Sequence, residues 1–300
     1  MRKKKNKQLI KLILTKSKEI CKSISKSQNT KRGRPKVYED YIIISALLIK
    51  TLENLSLRDL EERLKELFPK VPDFTTLHYR LKKLSKSHLE ELIEKTAQEI
   101  LKVLKAKELH CLIADGTGFG YADSYFLRSK RGKELREVKA HIKTEVLVGV
   151  VRGKSFVVGV KAEEAYSDEN RLLKEMLKKM FLRAKYFMGD AYYGKSVKVL
   201  KRIRELGMKA IVPVRDSMRM KVKNSYRRWA KRNYEEHKEV YKRYRYRVEQ
   251  VIGVVKNLFG DRERVYEFHL GCLYVLGRFA SYNLMVLVEL LFCLFAMVCL

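Results

Sequence analysis

The sequence predicts an α/β protein: a sheet flanked by helices, preceded by a small all-helical region. Three observations carry this. Residues 40 to 107 place apolar side chains at helical spacing, punctuated by capping residues and prolines. From His110 the pattern changes: HCLIADGTGFG, 143–151 and 155–161 are short apolar or β-branched runs, and Arg152-Gly153-Lys154 parts the last two as a hairpin turn does. Beyond Ser167, helical stretches alternate with short strands at 186–188 and 210–214, which gives the order strand, hairpin, helix, strand, helix, strand, helix.

Each element has its own signal. Residues 1 to 36 read as a basic arm ending in KRGRPK, in which Pro35 keeps the backbone extended and Gly33 lets Arg34 approach a narrow minor groove. That core resembles an AT-hook; the plainer reading is a solvated basic linker. Tyr41 to Leu55 is apolar-periodic, and Ser56 with Asp59 forms a capping box for a helix through Phe68. After Pro69 and Pro72, Thr75 or Thr76 caps TTLHYRLKKL. Leu77, Leu81 and Leu84 face inward there, while Arg80, Lys82 and Lys83 face out. Ser87 with Glu90 opens the next helix, to about Ala106. Three short helices with a basic third fit a helix-turn-helix and equally a plain bundle. Further on, Ser167 caps a helix from Asp168 to about Met180, Gly207 stops another from 196, and Pro213 puts 210–214 at a sheet edge. Residues 216–239 are strongly basic and hold Trp229, the sole tryptophan, read as a packing anchor or as a base-stacking ring.

Three hundred residues, 46% of them hydrophobic, suffice for two domains and a sizeable core. Lys and Arg number 66 against 35 acids, a net charge of +31. An excess this large disfavours an ordinary enzyme of small neutral substrates and points to a polyanion, either nucleic acid or an anionic membrane. Five cysteines without a C-x-x-C pair read as thiols in a reducing compartment, not as a disulfide frame or zinc site. The basic N-terminus lacks a small-residue cleavage site, and Lys11 breaks its apolar run. Tyr282 to Leu300 carries only Glu289 and is just long enough to reach across a bilayer. With Glu289 inside it and no basic anchor after it, a buried C-terminal helix is expected, and a membrane role is disfavoured.

Three acids stand apart. Asp115 ends the first strand, Asp190 ends a later one, and Glu249 lies on the helix within YKRYRYRVEQVIGVVKNLFGDR, residues 241–262. Along that helix Arg245, Glu249 and Lys256 share one face, while Val248, Val251, Ile252, Val255 and Phe259 form the apolar face. Taken singly, each acid is an ordinary turn residue or surface ion-pair partner. Taken together, three convergent carboxylates repel and call for a divalent cation, for which Mg²⁺ with its hard oxygen ligands is suited. Two such ions about 4 Å apart are the arrangement for phosphodiester chemistry.

The segments DGTGF (115–119), GDAYYG (189–194) and R-x3-E-x6-K (245–256) resemble the insertion-sequence DDE transposases. TTLHYRLKKL and SYNLMVLV resemble the same family, and the likeness covers roughly residues 30 to 290. One departure is clear: the family's signature begins with Tyr three residues before the Arg, where this chain has Lys242, flanked by Tyr241 and Tyr244. The resemblance implies a ribonuclease-H-like mixed sheet in a catalytic domain at 108–283. A basic arm at 1–37 and a helical DNA-binding domain at 38–107 precede it, and an apolar helix at 284–300 follows. It implies Asp115, Asp190 and Glu249 as catalytic residues holding two Mg²⁺ or Mn²⁺ ions. Arg245 and Lys256 would meet DNA phosphate, and Arg34, Arg80, Lys82 and Lys83 would add further DNA contacts. The implied partner is double-stranded DNA, at element ends and target, bound by a homodimer in the nucleoid-bearing cytoplasm.

A rival motif overlaps Asp190. Gly189 to Ser196, GDAYYGKS, matches the P-loop pattern G-x4-G-K-[ST] of nucleotide-binding enzymes. Against that reading, Asp190 would set a carboxylate against phosphate, and Tyr192 and Tyr193 are bulky where a nest needs small residues. A third reading is a DNA-binding protein without catalysis.

Overall fold

A computed structural model of the chain describes residues 2–25, 37–122, 126–131, 134–180, 182–214, 223–265 and 267–298. It divides into two units, Met1–Ile100 with Val265–Leu300, and Leu101–Arg264. The sequence boundary at 107/108 thus falls a few residues earlier. No break occurs at 283/284, because one helix runs from Phe268 to Val298 and groups with the N-terminal helices.

The first unit is helical. The expected basic arm is in large part a helix, α1 (Arg2–Ser25). Ile13, Lys16, Ser17 and Ile20 recur at steps of three and four and are buried, so the stripe packs although lysines surround it. Lys16 is admitted by ion pairs to Glu19 (2.8 Å) and Glu99 (2.5 Å). The AT-hook-like segment with Arg34 lies outside the described residues.

In α2 (Asp40–Glu53) eight successive residues, Ile42 to Ile49, are buried, as in a helix enclosed on all sides. The α1 helix and the C-terminal helix both pack against it. The Ser56–Asp59 capping box forms and opens α3, which ends at Lys65, short of the expected Phe68. The cap of α4 (Phe74–Lys83) is Asp73, not a threonine, because its carboxylate accepts from both Thr75 N and Thr76 N. The next helix, α5, spans Lys86–Val103, starting one residue before the expected cap Ser87.

The apolar C-terminal segment is used for packing. Phe268–Cys293 is long and apolar enough to cross a membrane, yet 67% of its most apolar stretch is buried against the chain itself. Gly277 lets it approach Leu47 and Thr51 of α2, and Asn283 donates to the Ile93 carbonyl at 3.4 Å.

The second unit holds a mixed sheet with helices on both faces, the architecture expected of a ribonuclease-H-like domain. Its first strand, β1 (Leu109–Tyr121), is followed by a separate hairpin that the sequence reading missed, β2 (Phe126–Arg131) with β3 (Glu134–Lys139). Then come β4 (His141–Val151) and β5 (Lys154–Glu164), joined through Arg152 and Gly153. Both have positive φ, as a two-residue primed turn requires. With β6 (Ala184–Met188) and β7 (Lys209–Ile211) the order is β5-β4-β1-β6-β7. Strand β4 runs antiparallel to β1 and β5 antiparallel to β4, whereas β6 pairs parallel with β1 and β7 parallel with β6. Strand β7 stops before Pro213 and forms an edge, as the proline demands.

Around the sheet, α6 (Glu169–Lys179) is capped by Asp168 rather than Ser167 and packs on β4 and β5. Ser196 caps α7 (Val197–Glu205). The basic stretch yields α8 (Ser225–Glu236), where Trp229 packs beneath the Arg204 guanidinium, 5.7 Å away, in the packing role. The chain then enters α9 (Lys238–Tyr244) and α10 (Arg247–Phe259), the latter lying on β1, β4 and β5 with Val248, Val251, Ile252 and Val255 buried.

If α1 is core rather than arm, Ile13→Ala should destabilise the helical unit by about 2–4 kcal/mol, the range for truncating a fully buried aliphatic side chain. Urea unfolding followed by circular dichroism measures this, and an unchanged midpoint would return α1 to the status of a surface arm.

Candidate active site

The glycine-rich DGTGFG run does not leave the sheet, as the sequence reading expected. Asp115 sits in mid-strand, because the antiparallel partner β4 stays in register through Gly120 opposite His141. The strand that ends is the other neighbour: β6 stops at Met188, opposite Ile113. Two residues later on each strand come Asp115 and Asp190, so both acids stand where β1 and β6 part company. An opening of this kind beside the end of a parallel strand is where α/β sheets carry ligand sites.

Arg245 joins the third acid to this opening. The expected single helix from Tyr241 breaks into α9 and α10 at Arg245–Tyr246, but both residues keep right-handed helical angles. The i,i+4 relation to Glu249 therefore survives, with Arg245 Nη1 at 3.3 Å from Glu249 Oε1. The other end of the same guanidinium donates to Asp115 Oδ1 at 3.0 Å. Burial raises the Asp115 pKa. Arg245 pulls it down, and the charges of Glu249 and Asp190 push it up again. Burial would lower the Arg245 pKa, but Asp115, Tyr241 and Glu249 outweigh it and hold the guanidinium charged. Lys256 donates to the Gly118 carbonyl at 3.0 Å and lies 5.1 Å from the Phe119 ring centre, and burial depresses its pKa.

The acids are therefore neighbours, but they do not converge as expected. Among the described residues no group of three or more His, Cys, Asp or Glu side chains is gathered tightly enough to hold a metal ion. The physical reason is the Arg245 side chain, which bridges Asp115 and Glu249 with its own positive charge. The donor set still fits a divalent cation chemically: every ligand is a carboxylate oxygen, and mutual repulsion at Asp115 favours a cation.

The 189–196 loop is held by its own contacts. Asp190 Oδ1 accepts from Tyr192 N at 2.8 Å, Lys195 N reaches the Tyr192 carbonyl and Ser196 N the Tyr193 carbonyl. The Ser196 hydroxyl accepts from Val199 N. Amide groups that a P-loop would aim at phosphate are thus occupied, and Lys195 lies over the Tyr192 ring. A side chain at Gly194 would stand 2.9 Å from the Pro213 carbonyl, so its glycine serves close backbone approach. Tyr241, one residue before the signature position held by Lys242, donates to the Gly189 carbonyl at 3.2 Å, whereas Lys242 is exposed and pairs with Glu239.

Residues 107–284 match the sequence profile of the Transposase DDE domain, a span that holds the three acids, Arg245 and Lys256. The chain belongs to the DDE transposase family. It is 65% identical over 291 residues to an uncharacterized protein of Aquifex aeolicus (strain VF5), covering 97% of this chain and 91% of that one. Among solved structures it is similar to a piggyBac transposase synaptic complex with hairpin DNA, at 12% identity, with a TM-score of 0.42 and coverage of 92% of this chain and 72% of that one. It is also similar to the Mos1 strand transfer complex, at 14% identity, with a TM-score of 0.24 and coverage of 83% and 78%.

Away from the three acids, this transposase departs from expectation at its helical unit. Arg80 does not face out: it donates to the Tyr38 carbonyl at 2.9 Å and pairs with Asp40 at 2.5 Å. Lys82 pairs with Glu267 at 2.6 Å, and Lys83 folds over the Tyr79 ring, 4.0 Å from its centre. The exposed face of α4 is instead Phe74, Thr75, His78, Tyr79, Lys82 and Lys83.

One acid of the transposase escaped sequence reasoning altogether. Glu145, on β4 opposite Gly116, is fully buried, and its Oε1 accepts from the equally buried Tyr193 hydroxyl at 2.8 Å. Among the described residues its Oε2 has no hydrogen-bond partner. Burial raises its pKa well above the ordinary range; Tyr193 and Lys143 oppose this, while Glu169 and Asp115 add to it. The strand β4 is buried on both faces from Thr144 onward, and Glu145 within HIKTEVLVGVV gave no spacing to read.

The sign of its pH effect follows. A carboxyl whose folded pKa exceeds its unfolded value of about 4.3 contributes stability in full below that value. The contribution is lost as pH rises through the folded pKa. Glu145→Gln has no proton to lose. Its melting temperature relative to wild type should therefore climb between about pH 5 and pH 8, and a constant difference would mean that Glu145 is ionised in the fold.

Proposed function

We propose that this transposase cuts DNA at the ends of an insertion sequence and joins the freed ends to target DNA. Arg245, bridging Asp115 and Glu249 beside Asp190, is the observation that supports this reading most directly. It marks one locus where the acids of β1 and α10 share a cation, with Asp190, in the loop after β6, near enough for its charge to act on Asp115. Asp115, Asp190 and Glu249 would hold two Mg²⁺ or Mn²⁺ ions, which when bound activate an attacking oxygen and stabilise a leaving one.

The chain's own groups would do the rest. Arg245, with two ends available to oxygen, orients a phosphate beside the acids once it turns from Asp115 and Glu249. Lys256, held over Phe119 by the Gly118 carbonyl, supplies a second positive charge to the same strand of DNA. In the first step water attacks the phosphodiester, the bond from phosphorus to the 3′ oxygen breaks, and a 3′-OH is freed. In the second, that hydroxyl attacks a target phosphodiester and displaces another 3′ oxygen. Two such sites on a homodimer would serve the two ends, in the cytoplasm where the nucleoid lies.

Glu249→Gln should abolish nicking of supercoiled DNA bearing the element's ends in Mg²⁺ or Mn²⁺, a loss of several powers of ten, while DNA binding persists. Asp115→Asn and Asp190→Asn should behave alike, whereas Lys195→Ala should cost far less. Wild-type nicking by Glu249→Gln would overturn the three-acid reading. A wild-type protein that binds these ends but never nicks them would favour the non-catalytic one.

With a net charge of +31, affinity for duplex DNA should also fall steeply as salt rises, through counterion release. Filter binding across a salt series measures the slope, and a flat line would remove DNA as the partner.

A further inference from the structure

We propose that Glu145 and Tyr193 form a buried positioning pair that fixes the Gly189–Asp190 turn, and so sets how tightly this site takes divalent ions. The inference rests on the metal-dependent reading above and extends it to two residues that touch no DNA.

Asp190 is exposed and lies beyond the last residue of β6; its carboxylate accepts from Tyr192 N, and the Gly189 carbonyl accepts from the Tyr241 hydroxyl. The Tyr193 ring is the third group against this turn. A Cβ at Gly189 would stand 2.5 Å from Tyr193 Cδ2, so the ring packs directly on the Gly189 backbone. Tyr193 is fully buried, which fixes its ring in place, and its hydroxyl has one recorded acceptor, Glu145 Oε1 at 2.8 Å. Glu145 in turn stands on β4 opposite Gly116, next to Asp115 in the ladder. A path of rigid contacts thus runs from the strand bearing Asp115, across β4, through a hydrogen bond and a ring, to the turn bearing Asp190. Supports of this sort behind ligating residues govern metal affinity although they touch no metal.

The pair also explains why a glutamate is buried here. With Oε2 unpartnered, a charged carboxylate would carry a far larger desolvation cost than a neutral acid. Burial, and the acids Glu169 and Asp115 nearby, favour the neutral form against Lys143, whose ammonium is engaged by Glu169. A neutral carboxyl accepts from Tyr193 without adding a further negative charge to a site that must gather three. Gln offers the same acceptor and the same neutrality; Ala is neutral but offers no acceptor.

The test uses the full-length chain and two readouts. Mn²⁺ binding is measured by calorimetry, and hydrogen exchange of the 189–196 amides by mass spectrometry. Tyr193→Phe, which keeps the ring and removes the hydroxyl, should raise the Mn²⁺ concentration for half-saturation about 10-fold or more and reduce exchange protection of the turn. Glu145→Ala should do the same, and Glu145→Gln should stay within about 3-fold of wild type. Tyr193→Phe keeps the proposal open to refutation if Glu145→Ala does not fold. Wild-type Mn²⁺ affinity in Tyr193→Phe overturns the proposal, and Glu145→Gln as impaired as Glu145→Ala overturns its neutral-acid part. A wild-type chain that binds no Mn²⁺ overturns the metal reading itself. In that case reduced protection in Tyr193→Phe still supports the anchoring of the turn, and unchanged protection overturns that as well.

Discussion

The site depends on one charge balance. Asp115 is carried into the sheet by β1, where burial raises its pKa, and Arg245 opposes this by standing between it and Glu249. That contact spans 130 residues of sequence and ties the central strand to the start of α10. It accounts for the break between α9 and α10 falling at Arg245–Tyr246: a guanidinium that must reach β1 and still face Glu249 sits where one helix hands over to the next. The apolar face of α10 then follows on the sheet, and Lys256 reaches Gly118 two turns further along. Arg245 offsets the charge of the two carboxylates it bridges, and in the proposed reaction the same guanidinium also meets phosphate.

Much of this was legible in the sequence because it was local. The Ser56–Asp59 capping box, the Arg152-Gly153 turn, the edge strand before Pro213 and the valines of α10 each follow from a few adjacent residues, and each appears where expected. Arg245 could be placed beside Glu249 from their i,i+4 spacing.

What failed to show was set by long-range partners. Asp115 reads as a strand end because glycines follow it, yet a glycine-rich segment stays extended when a neighbour as long as β4 pairs with it throughout. The arm at 1–25 reads as solvated because lysines dominate it, but a stripe as narrow as Ile13, Ser17 and Ile20 suffices once α2 offers a wholly apolar surface. Arg80 reads as outward from its helix position, and Asp40, forty residues earlier, draws it in. Glu145 was invisible for the same reason: nothing near it in sequence says that Tyr193 will be its partner.

The helical unit is built from both ends of the chain, with the whole of Leu101–Arg264 lying between them. As the chain is made, α1 and α2 emerge early, but the long apolar helix that packs on them follows only after the whole of Leu101–Arg264. The eight buried residues of α2 must wait, exposed or shielded by a chaperone, while the catalytic unit, whose strands are contiguous in sequence, completes itself first. Translation halted between Arg264 and Phe268 would therefore leave every strand of the sheet made, attached to a helical half that lacks its long apolar helix. Such a fragment would be sticky where the full chain is sealed, and the cell's proteases would meet the two halves on very different terms.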